Sequence, residues 1–344
     1  MVSAVAYVVS IIILALIYNF LNGANDSANA VATVIATRAL TPLKALALSS
    51  VFNLIGAFAF TEVARTIGKG IVSTTELATE LLFLVLIGGL VGAILWTYLC
   101  TAAGIPISVT HSLVGSIMGA GLVAGGPGVV EWRSLSTKVF LPIALGPFVG
   151  FVAGALIFAL ISWVLFIYYK ATSAPRTDRF FRTLQPLSAS FMSFSHGMND
   201  TQNAMGVITI ALITGGFIAT PVGEQFPVPW WVRILCGVVM ALGTFTMGSQ
   251  VIRTMGMRLT KLGPQHGFSA EAGAGLSLVA LSLAGMPVST THIMGSAVIG
   301  GTFFQSLQRI RWPEVMRMLT AWAITIPLSA AIGGAAFWLL RLWW

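Results

Sequence analysis

Gly23-Ala24-Asn25-Asp26-Ser27-Ala28-Asn29 interrupts an apolar run, and after mid-chain it returns as Gly197-Met198-Asn199-Asp200-Thr201-Gln202-Asn203. A second segment, Gly104-Ile105-Pro106-Ile107-Ser108-Val109-Thr110-His111, returns as Gly285-Met286-Pro287-Val288-Ser289-Thr290-Thr291-His292. The order is kept, with offsets of 197 − 23 = 174 and 285 − 104 = 181 residues. A polar set written twice in an apolar chain predicts two related halves that share one central site.

The chain around these motifs belongs in a membrane. Of its 344 residues, 57% are hydrophobic and only 8% charged, against roughly 25% charged in a soluble domain. Apolar stretches at 4–20, 45–60, 81–99, 140–168, 232–245, 273–284 and 319–340 have the length or near-length of bilayer-crossing helices. The expected fold is an all-α integral membrane protein, a polytopic bundle of about 10–12 helices. It is built from two inverted repeats with broken helices and re-entrant hairpins. Long apolar runs argue against a β-barrel, whose strands would alternate. The first stretch lacks a basic flank and a small-residue cleavage site, so it reads as a membrane helix and not as a signal peptide. The formal charge of +8 is scattered between apolar spans, the pattern of membrane-surface loops, and no nucleic-acid partner is expected. Cys100 and Cys236 lie far apart in apolar segments and suit packing better than a disulfide or zinc site.

Residues 1–169 read as the first half and 187–344 as the second. Between them, Lys170–Pro186 forms a basic, cytoplasm-facing linker, with Pro175 and Pro186 expected to interrupt helix. No GxxxxGK[ST] occurs, so ATP-driven work by this chain is not expected and energy must come from a co-moving ion.

The Asx-rich motif combines poor helix formers, and the spacing predicts local unwinding at membrane depth, with Asn25 or Asp26 capping a new half-helix. Asp26 and Asp200 are costly in lipid, by about 2.5–3.5 kcal/mol on insertion scales, and therefore read as functional. They are candidates to ligate Na+ or exchange a proton. Glu62 lies near Arg65 at a span end and reads as an interfacial acid, and Glu271 reads as the start of a span. Both copies of the Asx motif, at Asn25-Asp26-Ser27 and Asn199-Asp200-Thr201, match the glycosylation sequon, an accidental match at this depth. In the second motif Pro106 and Pro287 suit the first turn of a new helix after a hairpin tip. Ser108, Thr110, Ser289, Thr290 and Thr291 supply hydroxyls fitted to a tetrahedral oxyanion. His111 and His292 could bond a cavity group or fix the hairpins, and for His196, at the position of Asn22, a conformational role suffices.

With Ala30-Val31-Ala32-Thr33 and the paired GxPxSxTH segments, these residues resemble the inorganic phosphate transporter (PiT) family along essentially the whole chain. The resemblance implies a secondary active transporter, not an enzyme, in the plasma membrane, commonly a homodimer. It would symport inorganic phosphate with Na+ or H+ by alternating access, with no cofactor beyond the co-transported ion. Carried over residue by residue, phosphate would be bound by Asn25, Ser108, Thr110, Asn199, Ser289, Thr290 and Thr291. The coupling cation would lie at Asp26, Asn29, Asp200 and Asn203, with Asp26 and Asp200 as sodium ligands. Many proton-coupled bacterial members end the second motif in Gln-Lys. Here Gln202-Asn203 stands there, which favours Na+. Sulfate is the alternative substrate, and a passive anion channel the alternative activity. An enzyme would need a nucleophile facing a base, and adjacent Thr-His residues of a helix do not face each other.

Overall fold

The computed structural model describes residues 4–169, 174–219, 226–246, 249–260, 262–303, 308 and 310–343. Among them there is no strand, only two isolated β-bridges, Val72–Val130 and Thr260–Ile310. The first half supplies α1 (Ala4–Ala36), α2 (Pro42–Gly56), α3 (Glu62–Lys69), α4 (Thr79–Ala102) and α5 (Val109–Gly125). Then α6 (Trp132–Leu135) runs through a π-helical turn, Ser136–Phe140, into α7 (Leu141–Tyr169). The second half follows. It supplies α8 (Ala174–Thr214), α9 (Trp230–Thr246), α10 (Ser249–Arg253) with a π turn at Thr254–Arg258, α11 (Pro264–Leu283), α12 (Thr290–Phe303) and α13 (Trp312–Leu342). The segments Ala4–Ala36, Thr79–Ala102, Trp132–Ile167 and Trp312–Leu342 are each long and apolar enough to cross a membrane.

Two large apolar cores hold the bundle, and each draws on both halves. One joins α3, α4 and α5 to the start of α1 (Ile11, Ala15, Tyr18) and the end of α8 (Val207, Ile208, Ala211). The other joins α11 and α12 to the end of α1 (Ala30, Val31, Val34) and the start of α8 (Ala189, Met192). Thus α1 passes from the first core to the second, and α8 passes from the second to the first. The outer helices cross over as well, α7 packing on α12 and α13 on α5. Both Asx motifs fall where α1 and α8 leave one core and enter the other.

Two expectations fail here. Residues 22–29 and 196–203 do not unwind, since α1 and α8 are continuous through them. No half-helix begins at Asn25 or Asp26. Gly23 and Gly197 serve close packing instead. A methyl group at Gly23 would strike the Met240 carbonyl of α9, and one at Gly197 the Asn53 carbonyl of α2. The breaks lie at the Gly-x-Pro segments, between α4 and α5 and between α11 and α12. The linker also differs from expectation. Residues 170–173 lie outside the described residues, but 174–186 are the first turns of α8. Pro186 is carried inside that helix, and its carbonyl accepts from Ser190 Oγ at 2.8 Å.

Candidate functional site

Each hairpin tip is built the same way. Two residues past the ends of α4 and α11 stand Gly104 and Gly285, each at φ +66°. This is the left-handed region that only glycine enters without strain. Gly104 N and Ile105 N bond to the carbonyls of Thr101 and Cys100 at 3.1 and 2.9 Å. Gly285 N and Met286 N bond likewise to Ser282 and Leu281 at 2.9 and 3.1 Å. This double closure satisfies carbonyls that a helix end otherwise leaves bare. The chain then extends through proline to a serine N-cap. Ser108 Oγ accepts from His111 N, and Ser289 Oγ from His292 N, each at 3.2 Å.

The tips meet at the centre. Thr291 Oγ1 donates to Ile107 O at 2.8 Å, and the rings of His111 and His292 lie edge to face with centroids 4.8 Å apart. Both histidines are buried, and none of their four ring nitrogens has a hydrogen-bond partner among the described residues. The N-termini of α5 and α12 therefore meet at one place, with the imidazoles of His111 and His292 beside it. Helix N-termini of this kind attract oxyanions.

Beside the tips, the two motifs interlock across the halves. Asn29 Nδ2 donates to Thr291 Oγ1 at 2.9 Å, and Asn203 Nδ2 donates to Thr110 Oγ1 at 2.8 Å. Asn25 Nδ2 bonds Thr101 Oγ1 at 2.8 Å, and Asn199 Oδ1 accepts from Ser282 Oγ at 3.0 Å. Asn199 Nδ2 also donates to Val288 O at 2.8 Å and to the Asp200 carboxylate. Asp26 Oδ1 accepts from Thr291 Oγ1, and Asp200 Oδ1 from Thr290 Oγ1, both at 3.0 Å.

The carboxylates converge on His196. Its Nε2 lies 3.2 Å from Asp200 Oδ2 and 3.9 Å from Asp26 Oδ2, while Nδ1 is 2.9 Å from Asn53 Oδ1. One ligand atom from each of Asp26, His196 and Asp200 falls within 4.8 Å of the others. Around them, the amide oxygens of Asn22, Asn25 and Asn203 are buried without a donor among the described residues. A buried acceptor left bare costs about 1–3 kcal/mol. Three such groups with two acids make an oxygen-rich place suited to a hard cation.

All eleven residues expected at the site are buried and brought together here. Three were missed. His196 stands between the two acids, where only a conformational role was expected. Thr101 and Ser282 each hold an asparagine of the motif. The repeat itself carried a signal for them, since 101 + 181 = 282 places one on the other. The two acids set aside also part company. Glu62 begins α3 and accepts from its neighbour's amide, Thr61 N, at 3.0 Å. Glu271 does not mark a span end at an interface. It is fully buried in α11, accepting from Thr33 Oγ1, Ser188 Oγ and Gln185 Nε2.

Crossed halves, discontinuous hairpins and a closed polar site at their meeting point define a membrane carrier. The chain belongs to the phosphate transporter family: the family described as "Phosphate transporter family" matches residues 22–333. A "Probable low-affinity inorganic phosphate transporter" of Rhizobium meliloti (strain 1021) is 37% identical over 96% of this chain and 95% of its own. One of the same description from Bacillus subtilis (strain 168) is 35% identical over 96% of both chains. Among solved structures, "The sodium-dependent phosphate transporter" superposes with a TM-score of 0.84. It is 27% identical and covers 98% of this chain and 99% of that one. The protein is thus a multi-pass phosphate transporter of the plasma membrane, and not an enzyme.

Proposed function

We propose that this carrier moves phosphate together with Na+ by alternating access. The observation that carries the reading is the buried Asp26–Asp200 pair, ringed by amide oxygens without donors. Neither motif contains a lysine or arginine that could neutralise the acids internally. A cation entering there would discharge them and allow an anion to approach the N-termini of α5 and α12. Phosphate would lie against Ser108, Thr110, Ser289, Thr290 and Thr291, within reach of Asn25 and Asn199. Na+ would lie at Asp26 and Asp200, with Asn29 and Asn203 holding the hydroxyls that face it. The sodium dependence named for the solved relative favours Na+ over H+. The opposite courses of α1 and α8 between the two cores support halves that are inverted in the membrane. Rocking one core against the other would then expose the site to each side in turn. A homodimer is part of this reading, and the mass of the purified protein in detergent tests it.

The deciding experiment is uptake of labelled phosphate into proteoliposomes under an imposed Na+ gradient or a proton gradient, with excess sulfate as competitor. Concentrative uptake driven by Na+ and indifferent to sulfate is expected. Uptake driven only by the proton gradient would move the coupling to H+, and flux that never exceeds equilibrium would make the protein a channel. Phosphate that is protonated can donate a hydrogen bond to a carboxylate, whereas sulfate cannot. Sulfate accumulation without phosphate uptake would overturn the substrate.

A further inference from the structure

Apart from the central site, charge gathers at the mouth of the second hairpin. A cleft of about 560 Å³ is lined by Glu62, Arg65, Thr66, Lys69, Lys138 and Gly285, among others. Its floor is the hairpin tip itself. Lys138 Nζ donates to Ala284 O and Thr66 Oγ1 to Gly285 O, both at 2.7 Å. Three cationic side chains face one acid, and that acid is turned back onto Thr61 N at the start of its own helix. Lys69 makes no hydrogen bond or ion pair among the described residues.

The first hairpin shows what the cleft would look like without a purpose of this kind. Thr254 Oγ1 bonds Gly104 O at 3.0 Å, the counterpart of the Thr66 bond. Trp312 repeats Trp132 at an offset of 180, which sets Met318 at the position of Lys138. Met318 is buried in the second core, and Trp322 Nε1 closes on Pro106 O at 3.3 Å. Capping a tip carbonyl therefore needs only the threonine, and a lysine at position 138 is not required by the fold. A basic residue in the last turn of α3 complements the helix dipole, which accounts for Lys69 but for neither the second lysine nor their shared cleft.

We propose that this cleft is an oxyanion-capture site, which takes inorganic phosphate from solution and presents it to the second hairpin tip. The same hairpin also touches the central site, since Asn199 Nδ2 bonds Val288 O. Cations gathered in a cleft raise the local concentration of a divalent anion and its rate of arrival, by about 10- to 1000-fold in steered systems. Lipid headgroups share this chemistry. The lining offers only Leu283 and Ala284 as aliphatic side chains, too little for an acyl chain, so free phosphate is the occupant. The inference rests on the phosphate-transport reading above.

The test is initial-rate uptake of labelled phosphate into zwitterionic proteoliposomes, at fixed Na+ and varied ionic strength, by the full chain. Lys69→Gln removes a charge that bonds nothing, and Lys69→Gln with Lys138→Gln removes both lysines. The double variant is expected to raise KM about 3- to 10-fold with maximal rate unchanged, and to flatten the dependence on salt. Lys69→Arg should restore the parent values, which repair of a packing fault would not do. An unchanged KM in the double variant, or a fall in maximal rate alone, would overturn the proposal. So would an effect confined to vesicles that contain anionic lipid, which would make the headgroup the occupant. Absence of phosphate uptake by the parent protein would overturn the transport reading, and the capture site with it.

Discussion

Asp26, which faces Asp200, and Thr33, which bonds the buried acid Glu271, lie about two helical turns apart along α1, and the surroundings of these acids differ. Around Glu271 every acceptor is met: one oxygen takes Thr33 and Gln185 Nε2, the other takes Ser188, and Thr37 Oγ1 in turn bonds Gln185 Oε1 at 2.6 Å. Around Asp26 and Asp200 the amide oxygens of Asn22, Asn25 and Asn203 and the rings of His111 and His292 are unmet. A saturated polar network fixes one arrangement of helices, while an unsaturated one is a place for something absent from the chain. The repeat separates them too. Asp26 and Asp200 occur in both halves, whereas the position matching Glu271 is 271 − 181 = 90, a fully buried leucine. On the proposed function the duplicated acids serve what is carried, whereas the single one ties α1 to α8 and α11.

The comparison breaks first at the duplicated acids. Asp26→Asn and Asp200→Asn are each expected to fold normally and to lose Na+-driven phosphate uptake by about 100-fold or more, as truncating a buried charged partner costs about 2–5 kcal/mol. Sodium-dependent protection against thermal unfolding should vanish with it. Coupled uptake unchanged in either variant would remove these carboxylates from the cation path.

Next in size is Glu271. Glu271→Gln puts an amide N–H₂ where hydroxyl donors already point, and about 1–3 kcal/mol of stability should go with the mismatch. Thr33→Val should cost a similar amount. Because the two residues share one bond, the double variant should lose less than the sum of the single losses. Thermal unfolding in detergent measures all three. Strict additivity would mean that Glu271 and Thr33 do not act as one network.

Much of this was legible in the chain because polar residues stand out against lipid-facing sequence, and duplication marks which of them matter. Asp26, Asp200 and the hydroxyls of both hairpins announced themselves in that way. The helix break at the Asx motif did not follow, since propensity yields to tertiary bonding. Asn19, Asn25 and Asn29 each spend their N–H₂ on another helix or hairpin, at Cys236 O, Thr101 and Thr291, so the backbone of α1 keeps its own bonds. Gly23 reads as a helix breaker along the chain and as a contact point only once α9 is in place. Pro186 misled likewise, ending no helix. The approach of both acids to His196 was not foreseen, because its repeat partner is Asn22 and nothing local says that they reach its ring.

The finest test of the two-fold character concerns Thr101 and Ser282, residues of different type in matching places. Thr101 Oγ1 accepts from Asn25 Nδ2 and donates to Thr97 O at 2.7 Å, and Ser282 Oγ donates to Asn199 Oδ1. The polarity is thus opposite: one hydroxyl accepts from its asparagine and the other donates. Thr101→Val leaves the Asn25 N–H₂ without a partner, and Ser282→Ala leaves the Asn199 oxygen bare. A hydrogen bond of this sort is worth about 0.5–1.5 kcal/mol net, so each variant should raise the phosphate KM roughly 2- to 10-fold with the maximal rate kept. Ser282→Ala frees an oxygen that Na+ can use, and should weaken sodium dependence less than Thr101→Val does. Kinetics at varied Na+ and varied phosphate separate the two effects. Equal shifts in both variants would show that the halves respond alike despite their opposite bonds, and the site would then be symmetric in energy as well as in layout.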